Sequence, residues 1–155
     1  MVNGFDSQWL ADYQRRRASE GDGLRLPDVI AFEIPLLLKL PNTLSGRHWS
    51  VHMAQRKKLR PMMELALQQY FGCIPMEKAA VTITRYSTGA VRPDVDNQFS
   101  SAKPILDLLL VRCEKHPHSF GIIIDDDPQR LTPYVFAERC ETRKEQRTAV
   151  RIERK

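Results

Sequence analysis

Two runs of neighbouring carboxylates limit what this chain can become. The first is Arg92-Pro93-Asp94-Val95-Asp96-Asn97, answered further along by Gly121-Ile122-Ile123-Ile124-Asp125-Asp126-Asp127. Side chains alternate with a period of two in extended backbone, so Asp94 and Asp96 project to one side if the chain there is a strand. Carboxylates held that close repel, and a fold that keeps them together needs positive charge between them. Hard oxygen donors of this kind suit Mg²⁺, with Mn²⁺ able to substitute. The pattern points to a divalent-metal site, with Asp94, Asp96 and one member of the run Asp125, Asp126 and Asp127 as candidate ligands.

The rest of the chain is basic, with a net charge of +5 and a pI of about 9.3. That balance favours a polyanionic partner such as DNA. At 155 residues the chain is long enough to bury one core without disulfides or structural metal. Cys73, Cys113 and Cys140 are far apart and form no C-x-x-C pair, which argues against a disulfide scaffold and for a reducing interior. No apolar run approaches the ~20 residues of a membrane span. The first residues lack the apolar stretch of a secretory signal, so the expected location is cytoplasmic, with no membrane partner.

Residues 1–30 hold a short amphipathic pattern (Trp9, Leu10, Tyr13) and the triplet Arg15-Arg16-Arg17, read as a solvated face on a partly ordered extension. Phe32 to Leu40 reads as a strand, and Pro35, lacking an N–H, assigns it to a sheet edge or a bulge. Arg47 to about Tyr70 is helical, with Trp49, Met53, Met62, Leu65 and Leu67 near one face. Pro61 is expected to kink or divide that helix, and Gly72 to stop it. Ala79 to Ser87 alternates and is rich in β-branched residues, a strand. A second helix is expected from Asn97 to about Cys113, with an irregular turn before Pro104. Two strands, Leu131 to Cys140 and Thr148 to Glu153, flank a charged turn. The sum is a single α+β domain: a small mixed sheet packed against two main helices.

His48 and His52 share a helical face, but the Glu of H-E-x-x-H is absent and no third zinc ligand is evident. Arg47, His48, Arg56 and Lys57, with Arg92 and Asn97, are better read as a DNA-facing surface, Trp49 being either part of it or core. An EF-hand starting at Asp94 fails, because Phe99 stands where Gly is required and Ile105 where the bidentate Glu belongs. A phosphotransferase of the haloacid-dehalogenase kind carries its D-x-D directly after an apolar strand, whereas Arg92-Pro93 precedes this one. Taken singly, each acidic block reads as ordinary structure, a helix cap or an acidic turn. Two such blocks with Lys103 in a basic chain favour metal-assisted phosphodiester chemistry.

The combination Asp94-x-Asp96-Asn97, Lys103-x-x-x-Asp107 and Gly121-Ile122-Ile123-x-Asp125-Asp126 resembles the RusA family of Holliday junction resolvases, found in phages and prophages. The likeness covers roughly residues 32–136 and is densest from Arg92 to Gln129, within a nuclease domain spanning 31–155. It implies a homodimeric, Mg²⁺-dependent endodeoxyribonuclease that nicks opposed strands of branched DNA symmetrically, in a bacterial or phage-infected cell. By position, Asp94, Asp96 and Asp126 would be metal-holding catalytic residues, Lys103 the essential lysine and Asp107 the helix aspartate. Asp126 belongs to the later acidic pair whether Asp125 or Asp127 completes it. The stretch from Asn97 to Lys103 is about one helical turn longer than in the type resolvase. Two other functions share these residues: a junction-binding protein without catalysis, and a phosphohydrolase acting on small molecules.

Overall fold

The computed structural model describes residues 24–38, 48–89 and 95–155, and of 48–52 and 95–97 the backbone only. Among the described residues, four strands and two helices make one small α+β unit. The elements run β1 (Val29–Ile34), α1 (His48–Leu67), β2 (Ala79–Ser87), α2 (Val95–Leu109), β3 (Leu131–Arg139) and β4 (Arg147–Arg154). The sheet order is β1-β4-β2-β3. β4 pairs antiparallel with both β1 and β2, while β2 and β3 are parallel and in register from Ala79 opposite Leu131 to Ser87 opposite Arg139. A parallel pair needs a crossover, and α2 lies within it. The expected mixed sheet with two main helices is therefore the architecture found. Among the described residues no helix is long and apolar enough to cross a membrane.

The core lies between one face of the sheet and the helices. Ile30 and Ile34 from β1, Val81 and Ile83 from β2, and Val150 and Ile152 from β4 all point into it, as strand alternation requires. The segment before β1 joins in as well: Leu26 is buried, and its carbonyl accepts a 2.8 Å hydrogen bond from Arg154.

Prolines account for most departures from the expected elements. β1 lies at the sheet edge, as Pro35 implied, but it spans 29–34 rather than 32–40, because the chain leaves the ladder where the N–H is missing. α1 runs unbroken through Pro61 and α2 unbroken through Pro104, so the expected division and the irregular turn are both absent. A helical proline orphans the carbonyl four residues earlier. Those carbonyls belong to Lys57 and Ser100, both exposed, where water can satisfy them. α2 also starts earlier than expected, at Val95, and stops earlier, at Leu109.

The buried stripe of α1 is Leu59, Met63 and Leu67, at four-residue spacing. Met53 and Leu65, assigned to the core face by their apolar character, are exposed, and Met62 is only half-buried. The helix yields to a 3₁₀ turn over Gln68–Tyr70, then to Gly72 with φ 86°. An added Cβ is strained at that φ, so Gly72→Ala is expected to cost about 1 kcal/mol in a urea titration.

The charged turn between β3 and β4 is a 3₁₀ turn, Arg143–Glu145. Glu145 Oε2 accepts from the backbone N–H groups of Thr142 (3.0 Å) and Glu141 (2.9 Å), which hold its carboxyl below the usual range. A depressed carboxylate stabilises the fold above its unfolded pKa and loses that contribution as pH falls through its folded value. Glu145→Gln should therefore lower the urea midpoint at neutral pH and leave it unchanged in strong acid.

Candidate functional site

The second acidic block reaches the surface by way of a buried strap. Ile122, Ile123 and Ile124 are enclosed, and backbone hydrogen bonds tie them to Met76 on one side (Met76 N–H to Ile122 O, 2.8 Å; Ile124 N–H to Met76 O, 3.1 Å). On the other side the N–H groups of Ile122 and Ile123 donate to Leu109 O at 2.9 and 3.0 Å. Gly121 enters with φ 74°, a conformation glycine adopts without strain. The strap thus lies beside the end of α2, and Asp125–Asp127 emerge just before β3.

The three aspartates then part in role. Asp127 belongs to its own turn: its carbonyl accepts from Arg130 (3.0 Å) and Leu131 (2.9 Å), Oδ1 accepts from the Gln129 N–H at 2.9 Å, and Oδ2 pairs with Arg130 Nε at 3.0 Å. Asp125 accepts from the Asp126 N–H at 2.8 Å. Its carboxyl is pushed up, first by burial and further by the neighbouring Asp126 and Asp127. Asp126 reaches across to Lys103 of α2, with Nζ 3.4 Å from Oδ2.

Lys103 makes a second ion pair one helical turn along, with Asp107 Oδ1 at 3.0 Å. Asp107 is 3% exposed, and its other oxygen meets the Arg56 guanidinium of α1. A buried carboxylate is thus flanked by one cation from each helix. Burial would pull the Lys103 ammonium down, but Asp107 and then Asp126 outweigh it, and the net shift is upward. Lys103 therefore stays charged through neutral pH. The backbone carbonyl of Asp107 also accepts from Ser119 Oγ at 2.7 Å, fixing the loop that follows α2.

Lys103, Asp107 and Asp126 are thereby brought together from two segments of the sequence. Asp96 lies in the first turn of α2, not in extended backbone, so the period-two argument does not apply to it. Its position is seven residues, about two turns, before Lys103 on the same helix. Arg47, Arg92 and Asp94 lie outside the described residues, as does the 1–23 part of the extension with Trp9, Tyr13 and the arginine triplet. Only the backbone is described for His48, Asn97 and Asp96. Lys57 is exposed, as a DNA contact requires, whereas Arg56 is engaged with Asp107. That pairing had no signal in the sequence, because it depends on α1 crossing α2.

Among the described residues no cluster of three or more His, Cys, Asp or Glu side chains is arranged to hold a metal ion. No protein-family model matches the chain, and no curated protein matches it either.

Proposed function

We propose that the chain is a metal-dependent, structure-selective endodeoxyribonuclease that resolves four-way (Holliday) DNA junctions by paired symmetric nicks, in the manner of the RusA family. The observation that carries this reading is the Lys103 ammonium between Asp107 and Asp126. It joins the second and third of the three stretches on which the resemblance rests, Lys103-x-x-x-Asp107 and the acidic run that holds Asp126.

Carboxylate oxygens are the donors that a hard divalent cation takes. Asp125 and Asp126 are adjacent carboxylates, and the Asp125 carboxyl is pushed up by burial and by the neighbouring charges of Asp126 and Asp127. Asp126 and Asp125, joined by Asp94 and Asp96, would hold Mg²⁺ or Mn²⁺; Asp127 is committed to its turn. Such an ion, when bound, acidifies a water and shields the phosphate oxygens. Lys103 supplies a fixed cation for the charge that develops on the phosphorus-bound oxygens. Asp107, anchored by Arg56, is a positioning residue that holds Lys103 in place. A two-fold homodimer would place two such sites about one axis, matching the symmetry of a junction.

The test is a labelled synthetic four-way junction incubated with the purified protein. Mg²⁺ should yield paired nicks at symmetric positions on opposed strands, abolished by EDTA, with linear duplex of the same sequence left intact. Junction binding without nicking in either Mg²⁺ or Mn²⁺ would overturn catalysis and leave a DNA-binding protein. Hydrolysis of small phosphate esters without DNA binding would overturn both.

A further inference from the structure

A cleft of about 740 Å³ opens beside the Arg56–Asp107 pair, between α1 and the loop that follows α2. Ligand-binding cavities run from about 300 to 1,000 Å³, far more than a lone ion needs. Met53, Lys57, Arg60 and Pro61 line one wall, and Lys115 and Pro117 the other. Glu64 and Asp107 are its carboxylates, and Asp107 is already balanced by Arg56 and Lys103. The cleft is therefore cationic at its rim. Arg56, engaged with Asp107, leaves its enclosed Nε without an acceptor among the described residues.

The apolar part also asks for an occupant. Met53 is half exposed although the core has no use for it, and it faces a cleft that the prolines and the rings of His116 and His118 complete. The loop wall is built rather than loose. Cys113 and His116 exchange backbone hydrogen bonds (3.3 and 3.0 Å), Ser119 Oγ donates to Asp107 O at 2.7 Å, and Arg112 Nε donates to Ser119 O at 2.9 Å.

We infer that this cleft receives one unpaired nucleotide of a DNA strand, its phosphate on Lys57, Arg60 and Lys115 and its base against Met53, Pro61 and Pro117. A nucleotide joins an anion to a flat apolar face, the two chemistries that the walls present together. This inference rests on the nuclease reading for its choice of DNA. The cleft shares the buried Asp107 with the Lys103 cluster.

The experiment uses the full chain in EDTA and a short single strand carrying 2-aminopurine. Binding should change the probe's emission, weaken by tenfold or more in Arg60→Glu/Lys115→Glu, and lose the emission change in Met53→Ala. Should Arg60→Glu fail to fold, Lys57→Glu/Lys115→Glu carries the same test. Deoxynucleoside monophosphate should displace the strand better than inorganic phosphate, and linear duplex worse than single strand. Unchanged binding in the charge-reversed variants, unchanged emission, equal competition by inorganic phosphate, or equal competition by duplex would each overturn the inference. Because the probe is read without metal, a chain that nicks junctions but fails here loses the cleft alone. A chain that passes here but never nicks loses the nuclease reading alone.

Discussion

Asp107→Ala is expected to destabilise the protein by about 2–3 kcal/mol, seen as a lower urea midpoint at unchanged slope. The carboxylate is 3% exposed and carries Arg56 on one oxygen and Lys103 on the other. Its removal leaves a guanidinium pressed into a partly buried place with nothing opposite. Breaking a fully buried pair costs about 3–5 kcal/mol. The figure here is lower because Arg56 and Lys103 are 32% and 50% exposed, and water takes up part of the loss. Replacing both partners, as Arg56→Met with Asp107→Leu, should recover more than half of it, because no charge is then stranded. A loss below about 0.5 kcal/mol for Asp107→Ala would mean that the pair holds nothing together.

The largest effect on activity is expected at the acidic blocks. Asp126→Asn and Asp94→Asn should each slow junction cleavage by at least ~100-fold while leaving junction binding within a few-fold. Even residues one shell out from a metal typically matter by about 10- to 100-fold, so a ligand should matter more. Lys103→Ala should fall by a similar ~100-fold or more, the loss seen when one charge-stabilising donor is removed. It should do so without weakening metal binding, which separates its role from that of the aspartates. Asp127→Asn, by contrast, should cleave nearly normally, since that side chain serves its turn. Normal cleavage by Asp126→Asn would show that the ligand assignment is wrong.

The parts of the fold that were legible in the sequence are those where local pattern and tertiary use agree. β2 shows its alternation openly in Val81-Thr82-Ile83-Thr84, and Pro35 alone announces an edge strand. Leu67, read onto the α1 core face, is buried there, but apolar residues lie on both sides of that helix, and only packing chooses Leu59 and Met63 over Met53 and Leu65. Pro104 hid the continuity of α2, because whether an orphaned carbonyl is tolerable depends on its exposure. At the site, Lys103 and Asp107 are four apart and become neighbours once α2 runs unbroken through Pro104. Asp127 before Pro128 also carries a local turn signature. The meeting of Lys103 with Asp126, and of Arg56 with Asp107, depends on how the strap and α1 lie across α2, which no spacing along the chain encodes.

The central claim is that the two acidic blocks share one cation. Mn²⁺ binding followed by electron paramagnetic resonance, without DNA, tests it most directly in the parent chain, Asp94→Asn, Asp126→Asn and the double variant. Each single change should weaken Mn²⁺ by tenfold or more, and the double change should cost less than the sum of the two, as for ligands of one ion. Mn²⁺ affinity that is indifferent to either aspartate, or losses that simply add, would contradict the account.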